Sequence, residues 1–131
     1  MYHLPIKRSV LVFRRGDKFY HLDSTGGNST FAKKIVRKLE PLFNGKSDPL
    51  YFFHSSCSLT QLVRELVHVR SPQQENSYDC GVYTLAFLKY LSDQFARAGT
   101  IDFSILNRIT PRTITDLRED ILLLIASLQR E

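Results

Sequence analysis

Two short β-rich runs open the chain, and three longer stretches follow in which apolar residues recur every three or four positions. Ser9-Val-Leu-Val-Phe13 and Lys18-Phe-Tyr-His-Leu22 flank Arg14-Arg15-Gly16-Asp17, where a glycine can take positive φ, so the pair predicts a hairpin. The turn-rich Ser24 to Thr30 follows, with Asn28 or Ser29 placed to accept hydrogen bonds from the first amides of a helix. Phe31, Ile35, Leu39 and Leu42 form the apolar stripe of that helix, expected to face the core. Lys33, Lys34, Arg37 and Lys38 fall elsewhere on the wheel as a solvated basic face, and Pro41 to Pro49 ends the helix in a loop. Tyr51-Phe-Phe53 suits a strand, Leu59 to Leu66 has a mixed period, and Leu66-Val-His-Val-Arg70 alternates like a short strand. A helix of about four turns is outlined from Cys80-Gly81 by Val82, Leu85, Ala86, Tyr90 and Phe95, with Gly99 as its terminator. A last helix is expected after Thr113 or Thr115, with Leu117, Ile121, Leu124, Ile125 and Leu128 on one side. The order β-β-α-(β)-α-α predicts an α+β fold.

Composition narrows the picture without choosing a function. The 131 residues are 43% apolar and 24% charged, which excludes disorder and collagen-like repeats and suits one domain over 1–131. Such a chain buries roughly two thirds of its unfolded surface and needs no disulfide framework. Two cysteines, Cys57 and Cys80, behind the unremarkable start Met1-Tyr2-His3-Leu4-Pro5 point to a reducing compartment, cytosol or nucleus. The longest apolar run, Ile121 to Ala126, is far below the ~20 residues that span a bilayer, so no membrane partner is expected. A net charge of +5 suits an anionic partner, but a nucleic-acid role for the Lys33-Lys34-Arg37-Lys38 face rests on charge alone and is not favoured. His54 and Cys57 have ligand-like spacing, yet no second pair completes a tetrahedral set, so neither a metal nor another cofactor is expected.

The informative segment is Pro72-Gln-Gln-Glu-Asn-Ser-Tyr-Asp-Cys80-Gly-Val-Tyr. A cysteine in the first turn of a helix meets unpaired backbone amides and the positive end of the helix dipole, which favour a thiolate. Cys80 is therefore a candidate nucleophile, weighed against a small buried hydrophobe. Gly81 would let a substrate backbone come close, and Gln74 could aim an amide donor at an oxygen that turns negative during attack on a carbonyl.

The run Gln74-Glu-Asn-Ser-Tyr-Asp-Cys80-Gly resembles the Gln-x-x-x-x-Asp-Cys-Gly signature of the Ulp/sentrin-specific cysteine proteases, which cut ubiquitin-like modifiers from their targets or trim the modifier precursors. Phe19-Tyr-His-Leu-Asp23-Ser24 resembles the family strand that ends in Asp-Ser. Distributed similarity in the helix holding Ala32-Lys33 and Leu39-Glu40, and in Leu117 to Leu128, is greatest to the deneddylase branch, which acts on Rub/Nedd-type modifiers rather than SUMO. The resemblance implies a partial papain-like fold of the Ulp type, with a hairpin followed by helices around a small sheet. It also implies Cys80 as nucleophile, Asp23 as the carboxylate that orients a catalytic histidine, Gln74 as oxyanion donor, and hydrolysis after the modifier's C-terminal Gly-Gly.

One member of the set departs. Where the family has His-Trp just before the first strand, this chain has Lys7-Arg8. His3 could substitute only in a shifted strand register, which turns alternate side chains to the other face. His21 shares a strand face with Asp23 and is expected to pack beside the hairpin, while His54 and His68 are assigned surface or core roles. The chain also begins almost at the family's histidine strand, and Tyr51 to Gln61 looks like added material between Asp23 and Cys80. A truncated gene model or a splice form, with an altered first exon and an insertion, would account for both. Loss of one triad member costs on the order of 10⁴–10⁶ in rate, so weak or absent turnover is expected. The competing reading is a non-catalytic protein that retains modifier binding.

Overall fold

The computed structural model describes residues 9–16, 18–43 and 65–130. The hairpin forms as expected from β1 (Leu11–Arg15) and β2 (Lys18–Leu22), displaced by two residues along the first run, with Gly16 at φ 62° in the reversal. Leu11 pairs with Leu22 and Phe13 with Tyr20. The third strand, β3 (Leu66–His68), joins the other edge of β2 in parallel, pairing Phe19 with Leu66 and His21 with His68. Parallel neighbours need a long crossover, and α1 (Ser29–Phe43) lies within it. The sheet order is therefore β1-β2-β3, and β2 delivers Asp23 from its centre.

The two faces of β2 serve different neighbours. Tyr20 stacks on Phe13 at 5.2 Å and meets Phe103 at the same distance, while Leu22 joins the main core of Tyr83, Ala86, Phe87, Leu91, Leu106, Ile109 and Ile114. Phe19 and His21 alternate to the opposite side and are both buried, and α1 contacts all three strands. The main core gathers α2 (Cys80–Ala98), a 3₁₀ helix (Phe103–Arg108) and the start of α3 (Pro111–Leu128). This arrangement is α+β.

Several local expectations are corrected. The buried line of α1 is Ala32, Val36 and Glu40, whereas Phe31 and Leu42 are 42% and 76% exposed. Ala32 and Val36, short side chains four residues apart, let the helix lie close to the sheet, and the larger apolar residues flank that contact. The helix also runs through Pro41 to Phe43, at the cost of one backbone bond to the carbonyl of exposed Arg37. Asn28 stands before α1, its carbonyl accepting from Ala32 N at 2.9 Å, but its side chain donates elsewhere instead of capping.

The helix α2 starts at Cys80 and ends at Gly99, φ 68°, as expected, yet it is 19 residues long. It buries Tyr83, Ala86, Phe87 and Leu91, leaving Leu85 and Phe95 exposed. The helix α3 begins at Pro111 rather than after Thr113. Thr110 and Thr113 form a reciprocal capping box, with each side-chain oxygen accepting from the other's backbone amide at 3.3 Å. Of the apolar side expected for α3, Leu117 packs on the core while Leu124, Ile125 and Leu128 are exposed among the described residues. The 3₁₀ helix was not foreseen. Asp102 caps it by accepting from Ser104 N at 2.9 Å, which lets Leu106 enter the core.

Candidate active site

The site is built where β2 ends and α2 begins. Leu22 is held in the core, so the next residues, Asp23 and Ser24, emerge buried just past the C-terminal end of the central strand. The Asp23 carboxylate folds back on its own turn. Its Oδ1 accepts from Thr25 N (2.9 Å) and Thr25 Oγ1 (2.7 Å), and its Oδ2 accepts from Asn28 N and Asn28 Nδ2 (both 3.0 Å). Burial alone would raise its pKa, but these four bonds outweigh it and hold the carboxyl below the usual carboxylate range. Both oxygens already carry two donors, about the full capacity of a carboxylate, and among the described residues no histidine hydrogen bond to Asp23 is found.

From Asp23 a polar chain leads to Cys80. Gln73 Nε2 donates to the carbonyls of Asp23 and Ser71, each at 3.0 Å. Gln74 N donates to Ser24 O at 2.9 Å, and Ser24 Oγ donates to Gln74 Oε1 at 2.6 Å, so Gln74 is locked to the residue after Asp23 at both backbone and side chain. Gln74 Nε2 gives one hydrogen to Asn76 O, and an amide NH₂ has a second. Asn76 then organises the last turn before the helix. Its Oδ1 accepts from Tyr78 N (3.1 Å) and Asp79 N (2.9 Å), and its Nδ2 donates to Asp79 Oδ2 (2.7 Å). Arg118 of α3 completes the set with hydrogen bonds from Nη2 to both Asp79 oxygens.

Cys80 is the first residue of α2, half-buried and not in a disulfide. The carbonyl of Asp79 takes the first helical bond, from Tyr83 N at 2.9 Å. A Cβ added at Gly81 would lie 3.8 Å from Ser9 Oγ, so the residues leading into β1 pass beside the start of α2. Lys7 and Arg8, immediately before Ser9, lie outside the described residues, as do His3, His54, Cys57 and the Tyr51-Phe53 run. The structure thus links Ser24, the residue after Asp23, to Gln74 and on to Asp79, the residue before Cys80, through one hydrogen-bonded path. This constellation coincides with a family match: residues 5–120 fit the C-terminal catalytic domain of the Ulp1 protease family.

The chain belongs to the Ulp1 protease family. It is 35% identical over 112 residues to the human sentrin-specific protease 8, covering 84% of this chain and 45% of that protein. The NEDD8-specific protease 1 of Arabidopsis thaliana is 32% identical over 130 residues, covering 94% of this chain and 51% of its own length. The chain spans about half the length of these curated relatives.

Two features of this Ulp1-family site escaped sequence reading. Asn76 had a local signal, since an asparagine three residues before a helix start is an Asx-turn former. Arg118 had none, being 39 residues from its partner. His21, expected beside the hairpin, packs there against His68 with Nδ1 to Nδ1 at 2.8 Å. His21 Nε2 is buried with no hydrogen-bond partner among the described residues, so the less costly tautomer carries its hydrogen on Nδ1 and donates it to His68. Burial, then the neighbouring His68, lower the His21 pKa against the opposing pull of Asp23. The pair joins β2 to β3.

Proposed function

We propose that the chain acts as a cysteine peptidase on a ubiquitin-like modifier, cutting the bond after the modifier's C-terminal Gly-Gly, with the Rub/Nedd type favoured over SUMO. The observation that carries this reading is the path from Ser24 through Gln74 and Asn76 to Asp79, which sets an amide donor and a helix-start thiol on one braced turn. A relative whose name specifies NEDD8 supports the choice of modifier.

In this reading the Cys80 thiolate adds to the carbonyl carbon of the last glycine, and the carbonyl electron pair moves onto oxygen. The second N–H of Gln74 and the first amides of α2 stabilise that oxyanion. Collapse breaks the C–N bond and the leaving amine takes a proton, giving a thioester. Water then cleaves the thioester and restores the thiol. Proton transfer is the weak point, because Lys7 stands where the family places its histidine. Slow turnover with preserved thiol attack is the expected signature. A Nedd-type modifier ending in a propargyl group should label Cys80 and should not label Cys80→Ala. Absence of labelling, with a histidine-bearing family member labelled in parallel, would remove the enzymatic reading; binding that persists without labelling would restore the modifier-binding one.

A further inference from the structure

We propose that Arg118 is a positioning residue for Cys80: it draws the Asp79 carboxylate away from the first turn of α2 and so leaves that turn's amides to the thiolate and the oxyanion. The inference rests on the reading of Cys80 as nucleophile and adds a residue outside the Gln74 to Gly81 motif.

Asp79 occupies the position just before the helix, where an aspartate ordinarily turns its carboxylate onto the amides of the second or third helical residue. Here it does not. Its backbone, at φ −89° and ψ 4°, lies outside the extended conformation usual for that position, and its side chain makes no capping hydrogen bond. The carboxylate points instead to Arg118, which donates to both oxygens, and to Asn76 Nδ2 at 2.7 Å. The side chain of Asp79 is 4% exposed and that of Arg118 is 36% exposed. The guanidinium also lies 5.7 Å from the centroid of the Tyr78 ring, which limits where it can move. Without Arg118 a buried carboxylate beside Cys80 would lose its cation, and the amides of Gly81 and Val82, the usual donors to an aspartate at this position, would be within its reach. A carboxylate on those amides would repel a thiolate at the same helix end and occupy the donors that an oxyanion needs.

The test is alkylation of Cys80 by iodoacetamide at neutral pH, followed by mass spectrometry of the Cys80 peptide, with thermal unfolding measured in parallel. Arg118→Met should slow labelling about tenfold. Arg118→Lys should keep at least a third of the wild-type rate, because a charge in place suffices to hold the carboxylate. Asp79→Asn combined with Arg118→Met should return labelling to within about threefold of wild type, since no negative charge is left to move. Loss of a structural brace alone would loosen the turn around half-buried Cys80 and speed labelling rather than slow it. Wild-type labelling in a folded Arg118→Met variant, or a double variant as slow as the single one, would overturn the proposal. Should Arg118→Met not unfold cooperatively, Arg118→Gln keeps a donor without the charge: it should also label several-fold slower, and wild-type labelling in it would equally overturn the proposal. No modifier takes part in this assay. A chain that fails the propargyl test yet shows this pattern loses its enzymatic role and keeps the Arg118 assignment.

Discussion

Asp23 and Asp79 each stand shortly before a helix, and each is buried, but they are stabilised in opposite ways. Among the described residues, every donor to the Asp23 carboxylate comes from Thr25 or Asn28, within five residues. Asp79 takes one donor from Asn76, three residues back, and its cation from Arg118, 39 residues on. The first turn forms with its carboxylate already satisfied, whereas the second is complete only when α3 has docked. A self-contained turn resists change but has little left to offer a new partner. A turn completed from elsewhere in the fold can be adjusted from a distance.

The sharpest way to break this contrast is to ask Asp23 to serve a histidine. Lys7→His puts a histidine where the resemblance places the family's base, and general-base assistance contributes roughly 10²–10⁴ in rate. Turnover of a modifier carrying a C-terminal fluorogenic amide should rise by at least about 10²-fold. An unchanged rate would mean that the Asp23 turn does not release a donor to make room. The next effect falls on stability at the Asp79 turn. Arg118→Met leaves a buried carboxylate without its cation and should cost about 3 kcal/mol in urea unfolding. Asp23→Asn should cost less, about 1–2 kcal/mol, because Thr25 is exposed and water can replace part of what it loses.

The same pair separates on acidification. The pKa of Asp23 is depressed in the folded chain, so its contribution is present above the unfolded carboxylate range and is lost as pH falls through the folded value. Asp23→Asn should therefore flatten the acid limb of the stability curve below about pH 4. An acid limb that keeps its slope would assign acid unfolding to other carboxylates.

What was legible in the sequence follows the same division. The hairpin reversal at Gly16 and the Cys80 to Gly99 helix depend on neighbours within a few residues, and both follow from the sequence pattern; the turn after Asp23 was expected, but not the Thr25 and Asn28 donors that fill its carboxylate. The parallel docking of β3, the choice of Ala32 and Val36 over Phe31 and Leu42 as the inward side of α1, and the Arg118 bond depend on elements far away in the chain. Periodicity shows that a stripe exists but not which of two overlapping stripes meets the sheet, because that depends on how closely the helix can approach. Cys80, Asp23 and Gln74 are singled out by motifs alone as candidate nucleophile, carboxylate and amide donor. The bonds that join them were recognisable only at Asn76, where an Asx turn is a local device.

The smallest effect expected belongs to His21, two residues before Asp23 on the central strand. Its pair with His68 ties β2 to β3, and the segment after β3 carries Gln73 and Gln74 to their bonds with Asp23 and Ser24. Because burial and His68 lower the pKa of His21 in the folded state, the unfolded chain binds the proton more readily. Stability should then fall as pH drops through the unfolded histidine value of about 6.5, and the loss should level off below the folded value. His21→Phe removes the buried proton acceptor while filling the space, so stability between pH 7.5 and 5 should become flatter than in the wild type. His68 keeps its ring in the variant, and a wild-type slope there would transfer the dependence to another group. A flatter slope, with Gln74 still bonded to Ser24 by amide hydrogen exchange, would place the pH sensitivity in the strand clip and leave the Asp23 turn self-contained.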